Sequence, residues 1–375
     1  MKKILFITGT RADFGKLKTL ILKLEKSKKF KVFLIVTGMH LFKKFGYTVE
    51  EVKDNFPKIK KFFFNNQSES ETQDLIISRT ISRSSVILKK IKPDLVFVHG
   101  DRVETMAMSL AASLNNILVA HIEGGEISGT IDEHIRHSVS KLSHIHFVSN
   151  KKAADRIQKL GEFKKTIHVV GSPDYDLMFS KNLPSLNKVK NYYEIKYQNY
   201  AISIFHPVTT ELKKLKENTK IYFEALKKSK KNFIVIFPNN DPGCNTILKS
   251  IQKLKTNKRF RILKSMRFEY FLTLLKNSEF IIGNSSAGIR EAPAYGVKTI
   301  NVGSRQNGRV SQKIIKTIKF NQADIQNACN RIDVKKHKKL KIFGKGDSSN
   351  KIFKILSKKN FWLTPIQKKL NFFYN

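Results

Sequence analysis

Short apolar runs alternate with amphipathic helical stretches along most of the chain, and many of these runs end in a polar corner rich in glycine. Continuous apolar runs predict buried strands, whereas apolar residues repeating every three to four positions, as in 16–26 and 103–114, predict helices. Strands that alternate with helices form mostly parallel sheets covered on both faces. The predicted strands are 3–8, 31–36, 94–100, 116–120, 145–149, 167–171, 200–207, 233–239, 260–265, 280–286 and 298–304.

The stretch 172–187 interrupts this alternation with two prolines, and we interpret it as a linker. A chain of 375 residues is long for a single hydrophobic core. The sequence therefore predicts an α/β protein made of two facing Rossmann-like domains, 1–171 and 172–351. A C-terminal helix, 352–375, is expected to pack back on the first domain.

The net charge of +41 is large, but its lysines are spread along the whole chain. A nucleic-acid-binding protein would concentrate them in a stripe with interleaved aromatic residues, so we expect no nucleic-acid partner. Two cysteines provide neither a disulfide framework nor a zinc motif. No apolar run approaches the roughly 18 residues that span a bilayer. We expect a cytoplasmic protein without metal, cofactor or membrane insertion.

Arginine is rare among the basic residues, so its positions are informative. Guanidinium groups hold phosphate and carboxylate through two parallel hydrogen bonds, which lysine cannot do. In open α/β sheets, ligands bind at the carboxyl ends of the strands. The arginines in or beside the predicted corners are Arg11, Arg102, Arg136, Arg290, Arg305 and Arg309.

The corner 283–291 predicts a strand, a turn and a helix that starts near Ala287. Ser285 and Ser286 either cap that helix or, with its backbone N–H groups, bind phosphate. In the second interpretation the two serines and Arg305 hold a diphosphate. Glu291 then accepts hydrogen bonds from ribose hydroxyls.

A second corner, 121–137, is crowded with ionisable residues. Thr130 and Glu133 predict a capping box at a helix start, but this box does not explain Glu123. Nearby in the same half, Asp101 either belongs to the site or forms a local ion pair with Arg102.

His206 in the second half, held extended by the proline that follows it, is either structural or functional.

These motifs resemble the hydrolysing UDP-N-acetylglucosamine 2-epimerases of sialic and legionaminic acid biosynthesis, which include bacterial enzymes and the epimerase half of a bifunctional animal enzyme. The resemblance extends from residue 1 to about residue 355, in order. Non-hydrolysing relatives usually have Pro-Glu after the first Thr-Arg, where this chain has Ala12-Asp13. The matching stretches are 9–17, 99–102, 121–137, 171–176, 206–210, 238–241, 283–291 and 304–309.

The resemblance implies the glycosyltransferase-B architecture, with an active site in the interdomain cleft. It makes 1–171 the sugar and catalytic domain and 172–351 the nucleotide-binding domain. It implies a homodimer or homotetramer whose substrate is a UDP- or GDP-linked N-acetylated amino sugar. The implied catalytic residues are Asp101, Glu123, Asp132 and His206. The implied nucleotide-binding residues are Arg11, Ala12, Lys16, Arg102, Asn239, Ser285, Ser286, Glu291 and Arg305.

The implied reaction eliminates the nucleoside diphosphate to form a 2-acetamido glycal and then adds water. The product is the free 2-epimer, N-acetylmannosamine or its 2,4-diacetamido-6-deoxy analogue. A non-hydrolysing 2-epimerase and a glycosyltransferase of the same fold are the alternatives. The nucleotide base and the sugar substituents at C4 and C6 stay open.

Overall fold

The structure is a computed structural model that describes residues 1–68, 71–309 and 312–371. In chain order the strands are β1 (Lys2–Thr8), β2 (Phe30–Val36), β3 (Lys60–Phe63), β4 (Leu95–His99), β5 (Leu118–Ile122), β6 (Ile145–Val148), β7 (Ile167–Val169), β8 (Ala201–Ile204), β9 (Phe233–Ile236), β10 (Phe260–Leu263), β11 (Phe280–Gly283), β12 (Lys298–Val302) and β13 (Ile315–Ile318).

The helices alternate with the strands as expected for parallel sheets. They are α1 (Arg11–Glu25), α2 (Val49–Asn55), α3 (Gln73–Ile91), α4 (Val103–Leu114), α5 (Asp132–Leu142), α6 (Lys151–Lys159), α7 (Pro173–Met178), α8 (Leu186–Tyr192), α9 (Leu215–Lys228), α10 (Cys244–Gln252), α11 (Phe268–Asn277), α12 (Glu291–Ala294), α13 (Gln322–Arg331) and α14 (Ser348–Leu356).

The chain divides into two compact units. Unit 1 contains Met1–Glu126, Asp132–Lys181 and the chain from Phe343 onward, and unit 2 contains Ile127–Ile131 and Asn182–Ile342. Unit 1 is built on a seven-stranded sheet with the order β3-β2-β1-β4-β5-β6-β7. Unit 2 is built on a six-stranded sheet with the order β10-β9-β8-β11-β12-β13. The strands of both sheets are parallel, as predicted.

Both faces of the unit 1 sheet are buried, because helices cover each side. On one face Phe6 of β1, Phe97 of β4 and Phe147 of β6 stack in a row across the sheet, with ring centroids 4.9 and 5.8 Å apart. On the other face Leu5 and Val96 pack under α3 and α4. In unit 2, Phe205 stacks on Tyr222 with centroids 4.5 Å apart. This packing holds the strand ends, and hence the polar corners, in place.

Every strand predicted from an apolar run is confirmed, but the sequence missed the edge strands β3 and β13. Both have partly exposed residues along their length, so their sequences lack a continuous apolar run. An edge strand has only one neighbouring strand and is partly exposed, so its sequence need not show the continuous apolar pattern of a buried strand.

The interpretation of 172–187 as a linker is wrong for its first part. Residues Pro173–Met178 form α7, with the proline at the first helical position where its missing N–H costs nothing. The Asp176 carboxylate then accepts hydrogen bonds from the backbone N–H groups of Ser348 and Ser349 at 2.7 and 2.6 Å. Residues 172–181 and the chain from Phe343 therefore belong to unit 1, which differs from the expected boundaries at 171 and 351.

The expected helix 352–375 is wrong in its length. The α-helix ends at Leu356, a 3-10 turn follows at Lys359–Leu363, and the described chain to Asn371 is irregular. Residues 372–375 lie outside the described residues. Within residues 1–68, 71–309 and 312–371, no helix has both the length and the apolar character needed to cross a membrane.

Candidate active site

Asp101 and Glu123 follow two neighbouring parallel strands of unit 1. The register pairs His99 at the end of β4 with Ile122 at the end of β5. The backbone N–H of Gly100 donates to Ile122 O at 3.0 Å, which continues the pairing past the strand ends. The sheet therefore brings these two predicted catalytic carboxylates to the same corner.

Glu123 is buried, with 5 % of its surface exposed, and has a φ of +66°, which is uncommon for a residue other than glycine. Its backbone N–H donates to Phe147 O at 3.0 Å. The Ser172 hydroxyl donates to Oε1, and Nε2 of His99 lies 3.4 Å from Oε2. These contacts fix the carboxylate from two sides, and neither Ser172 nor His99 was named from the sequence as a site residue.

Asp101 contacts a buried cation. Arg136, with 3 % of its surface exposed, directs Nη2 at the Asp101 carboxylate and donates from Nη1 to Glu126 O at 3.1 Å. A guanidinium that reaches two acceptors fixes the carboxylate in direction as well as in charge. From the sequence, Arg136 is one of the arginines near a predicted corner, and its contact with Asp101 is not indicated.

The Gly124-Gly125 corner is required by close approaches. A Cβ at Gly124 would lie 2.8 Å from Nδ1 of His121, and one at Gly125 would lie 2.3 Å from Ala153 O. Gly125 also has a φ of +74°. The glycine pair therefore lets the chain leave β5 tightly against His121 and α6.

His121 is a structural residue in this corner. Burial lowers its pKa to about 3, so the ring is neutral and has one N–H. Nε2 lies 2.8 Å from Gly100 O, which can only accept, so the proton is on Nε2. Nδ1, 3.0 Å from the Ser140 hydroxyl, then accepts from it.

Asp132 is the first residue of α5 and is half-buried. Asp132 and Arg136 are four residues apart and thus share a face of the helix. The α-helix begins at Asp132, one residue later than a capping box of Thr130 and Glu133 implies.

The predicted nucleotide-binding cations of unit 1 already pair with carboxylates. Arg11 Nε lies 2.6 Å from Glu51, Lys16 Nζ lies 3.5 Å from Asp174, and Arg102 Nε donates to Glu104 at 3.1 Å. Ala12 is exposed at the start of α1. The capping box at the start of α1 consists of Thr10 and Asp13, so the aspartate of the Ala12-Asp13 pair has a structural role.

In unit 2, His206 is held by its backbone and by its ring. Asn284, fully buried, accepts from His206 N at 2.7 Å and donates to His206 O at 2.8 Å. The backbone N–H of Asn239 donates to Nδ1 of the ring at 3.1 Å. Nδ1 is therefore an acceptor, and the neutral ring has its proton on Nε2 as a hydrogen-bond donor.

Arg305 is anchored on the same asparagine. Its Nη1 and the side-chain nitrogen of Gln306 donate to Asn284 O at 3.2 and 2.8 Å. Arg309 donates to Gln306 Oε1 at 3.1 Å and to Ile127 O at 2.9 Å. The sequence indicated the stretches 283–291 and 304–309 but not the role of Asn284, which joins them to His206.

The predicted helix from Ala287 is wrong. Ser286–Gly288 is a 3-10 turn, and the Ser285 hydroxyl accepts from Ala287 N at 3.3 Å, as in the capping interpretation. The Thr299 hydroxyl donates a hydrogen bond to Gly288 O at 2.6 Å. Pro293 has no N–H, so it cannot supply a hydrogen bond that would continue an α-helix from this turn. Glu291 begins the short α12 and is buried.

Comparisons with known proteins find relatives that match nearly the whole chain. A family model described as UDP-N-acetylglucosamine 2-epimerase matches residues 22–357. A UDP-N-acetylglucosamine 2-epimerase of Neisseria meningitidis is 45 % identical and covers 98 % of both chains. A hydrolyzing UDP-N,N'-diacetylbacillosamine 2-epimerase of Legionella pneumophila is 33 % identical over 95 % of this chain and 96 % of its own. The solved structure of a UDP-GlcNAc 2-epimerase from Neisseria meningitidis bound to UDP-GlcNAc has a TM-score of 0.78 at 22 % identity, covering 94 % of this chain and 99 % of its own.

Proposed function

Because the chain belongs to the UDP-N-acetylglucosamine 2-epimerase family, we propose that it is a hydrolysing sugar-nucleotide 2-epimerase. Its substrate is a UDP- or GDP-linked sugar of the N-acetylglucosamine type. Its products are the free 2-epimer and the nucleoside diphosphate. The observation that carries the proposal is the pair of carboxylates, Asp101 and Glu123, on adjacent strand ends.

The reaction has two steps. A base removes the proton from C2, the C1–O bond to the diphosphate breaks, and the electron pair forms the C1=C2 bond of a 2-acetamido glycal. Water then adds to C1, and an acid returns a proton to the opposite face of C2. Both steps need carboxyl groups, and general acid–base groups typically contribute about 10²–10⁴-fold each.

The contacts of the two carboxylates differ, which suits separate roles. Asp101 faces the guanidinium of Arg136, which stabilises negative charge. Glu123 receives the Ser172 hydroxyl and lies beside His99. We assign proton transfer and hydration to Asp101, Glu123 and Asp132 together, with Ser172 and His99 positioning Glu123.

Unit 2 supplies donors for the leaving group. The neutral His206 tautomer offers Nε2–H, and Arg305, fixed on Asn284 O, offers a cation. Hydrogen bonds to charged groups contribute about 1.5–3 kcal/mol each. We therefore assign His206 and Arg305 to the diphosphate, together with Asn239, Ser285, Ser286 and Glu291 at the nucleotide and Arg11, Ala12, Lys16 and Arg102 from unit 1.

Two relatives support hydrolysis. The Legionella pneumophila relative and a Campylobacter jejuni relative, 32 % identical over 90 % of this chain, are both named as hydrolyzing diacetylbacillosamine 2-epimerases. The name of the Neisseria meningitidis relative, a plain UDP-N-acetylglucosamine 2-epimerase, favours UDP-N-acetylglucosamine as substrate and leaves the non-hydrolysing reaction as the second candidate.

A substrate panel tests the proposal. The protein is incubated with UDP- and GDP-linked N-acetylglucosamine and N,N'-diacetylbacillosamine in the absence of any acceptor, and the products are identified by NMR. We expect free 2-epimer and nucleoside diphosphate in equal amounts. A product that stays nucleotide-linked would instead support the non-hydrolysing reaction.

A further inference from the structure

The end of the chain lies on unit 1 through polar contacts. The tail, residues 364–371, has no regular secondary structure, and Ile366 and Leu370 are 40 and 51 % exposed. Nε2 of His144 contacts Ile366 O at 3.0 Å, and Asn371 N donates to Gly161 O at 2.9 Å. Apolar burial does not account for this placement of the tail, so polar contacts must hold the tail on unit 1.

Lys368 is the central contact of the tail. Its ammonium group lies 2.6 Å from Lys141 O, 2.5 Å from Ser143 O and 3.5 Å from Ser140 O, at the end of α5. The last carbonyls of a helix have no partner within the helix, and the helix dipole favours a cation there. Lys368 thus caps the C-terminus of α5 from a distant part of the chain.

A buried carboxylate holds the lysine in place. Glu162 lies 3.0 and 2.9 Å from the Lys368 ammonium and also contacts Lys141 and His146 at 2.7 and 3.2 Å. Burial acts to raise the pKa of Glu162, but its hydrogen bonds with His146, Lys141 and Lys368 outweigh burial and hold that pKa at about 2. Glu162 is therefore an anion throughout the neutral range.

The capped helix carries side chains that build the Asp101 corner. Arg136, in the middle of α5, contacts the Asp101 carboxylate. Ser140, in the last turn that Lys368 caps, donates to His121, and His121 donates to Gly100 O, next to Asp101. Two routes of contact therefore lead from the capped helix to one proposed catalytic carboxylate, and one of them, through Ser140, starts in the capped turn.

We propose that Lys368 is a positioning residue of the active site, which caps α5 and thereby fixes Arg136 and Ser140 against the Gly100–Asp101 corner. The proposal rests on the proposed function for its kinetic consequences. Its structural part, the capping of α5 by the tail, is independent of the reaction.

Full-length variants separate these two parts. Lys368→Ala removes the cap, and Lys368→Arg keeps a cation. Lys369→Ala is the matched control, since Lys369 is the next lysine in the chain and is exposed. Trp362, the single tryptophan, packs on Phe30 with ring centroids 6.2 Å apart, so its emission reports whether the chain before the tail stays docked. We expect unchanged emission in all three variants.

Hydrogen exchange measures the cap without any substrate. In Lys368→Ala the amides of the last turn of α5 and of Gly100–Asp101 should exchange at least about fivefold faster, as expected for loss of about 1 kcal/mol at a helix end. Lys369→Ala should match the wild type, and Lys368→Arg should recover most of the protection. Equal exchange in Lys368→Ala and Lys369→Ala would overturn the proposal.

Kinetics measure the effect on the site. Lys368→Ala should lower kcat roughly 3- to 30-fold, the range for remote changes that alter coupling, with KM and the stoichiometry of nucleoside diphosphate binding unchanged. Lys368→Arg should restore most of kcat. Faster exchange with a wild-type kcat would overturn the positioning role. Wild-type protein that turns over no panel substrate, with the exchange result intact, would instead reject the proposed function and leave the cap established.

Discussion

Arg136 and Asp101 are 35 residues apart in the chain, yet the guanidinium of one lies against the carboxylate of the other. The same guanidinium donates to Glu126 O, at the end of the Gly124-Gly125 corner. One buried cation thus joins the strand end after β4 to the loop after β5. Through these two Arg136 contacts, two motifs that are separate in the sequence form one corner.

Replacing Arg136 with lysine should therefore destabilise the protein. A lysine ammonium can reach only one of the two acceptors, so one hydrogen bond to a charged group is lost, worth about 1.5–3 kcal/mol in the free energy of unfolding. Urea denaturation measures this change. The exposed Arg83 on α3 supplies the control Arg83→Lys, which should stay within about 0.5 kcal/mol of wild type. Equal midpoints for the two variants would mean that the Arg136 contacts do not stabilise the fold.

Replacing Arg305 with alanine should weaken nucleoside diphosphate binding by about 1.5–3 kcal/mol, the range for a hydrogen bond to a charged group. Its guanidinium is anchored on Asn284 O, and the side chain of the same asparagine holds the backbone of His206. Calorimetry with UDP and GDP measures the affinity, and Arg331→Ala, at an exposed arginine of unit 2, is the control. Unchanged affinity in Arg305→Ala would remove Arg305 from the site.

The isosteric changes Asp101→Asn, Glu123→Gln and Asp132→Asn should each lower turnover by about 10²-fold or more, while nucleoside diphosphate binding survives. At least one of them should slow hydration more than elimination and release measurable glycal. Product analysis by NMR detects it. Asp155→Asn, at an exposed carboxylate on α6, should keep wild-type turnover. Near-wild-type rates in all three variants would refute the assignment of the carboxylates.

Acidification should destabilise the protein before its carboxylates titrate. Burial lowers the pKa of His40 to about 4 and that of His121 to about 3, from an ordinary value of 6.5. The unfolded chain therefore binds more protons than the folded chain below about pH 6.5, so folding stability falls as pH drops. Each fully buried histidine contributes about 1.4 kcal/mol per pH unit in that window.

Urea denaturation at pH 7.5 and pH 5.0 measures this loss. The variant His134→Gln, at an exposed histidine of α5, should show the same pH dependence as wild type. Stability that is equal or greater at pH 5.0 would contradict the view that these histidines are buried in the neutral form.

The parts of the fold that follow from local pattern were predictable. Continuous apolar runs located β1, β4 and β5, and the polar corners after them located Asp101 and Glu123. The partners of these residues were not predictable, because they come from distant chain segments. Ser172 is 49 residues from Glu123, and no local pattern indicates that contact.

The same limit applies to unit 2. Asn284 holds the backbone of His206 across 78 residues. The sequence pattern instead indicates its neighbours Ser285 and Ser286, because serines before a helix are a familiar signal. No α-helix is present in the described residues 286–290, where the Thr299 hydroxyl donates a hydrogen bond to Gly288 O. A hydrogen bond from a later strand decided the local structure.

The position of the solvent proton in the product tests the central claim most directly. The reaction is run in D₂O with the sugar nucleotide that the panel selects, and the products are analysed by NMR and mass spectrometry. Proton removal and return at C2 predict a free 2-epimer with one deuterium at C2, formed together with one equivalent of nucleoside diphosphate. A free sugar without deuterium at C2, or a deuterated epimer that remains linked to the nucleotide, would contradict the hydrolysing elimination mechanism.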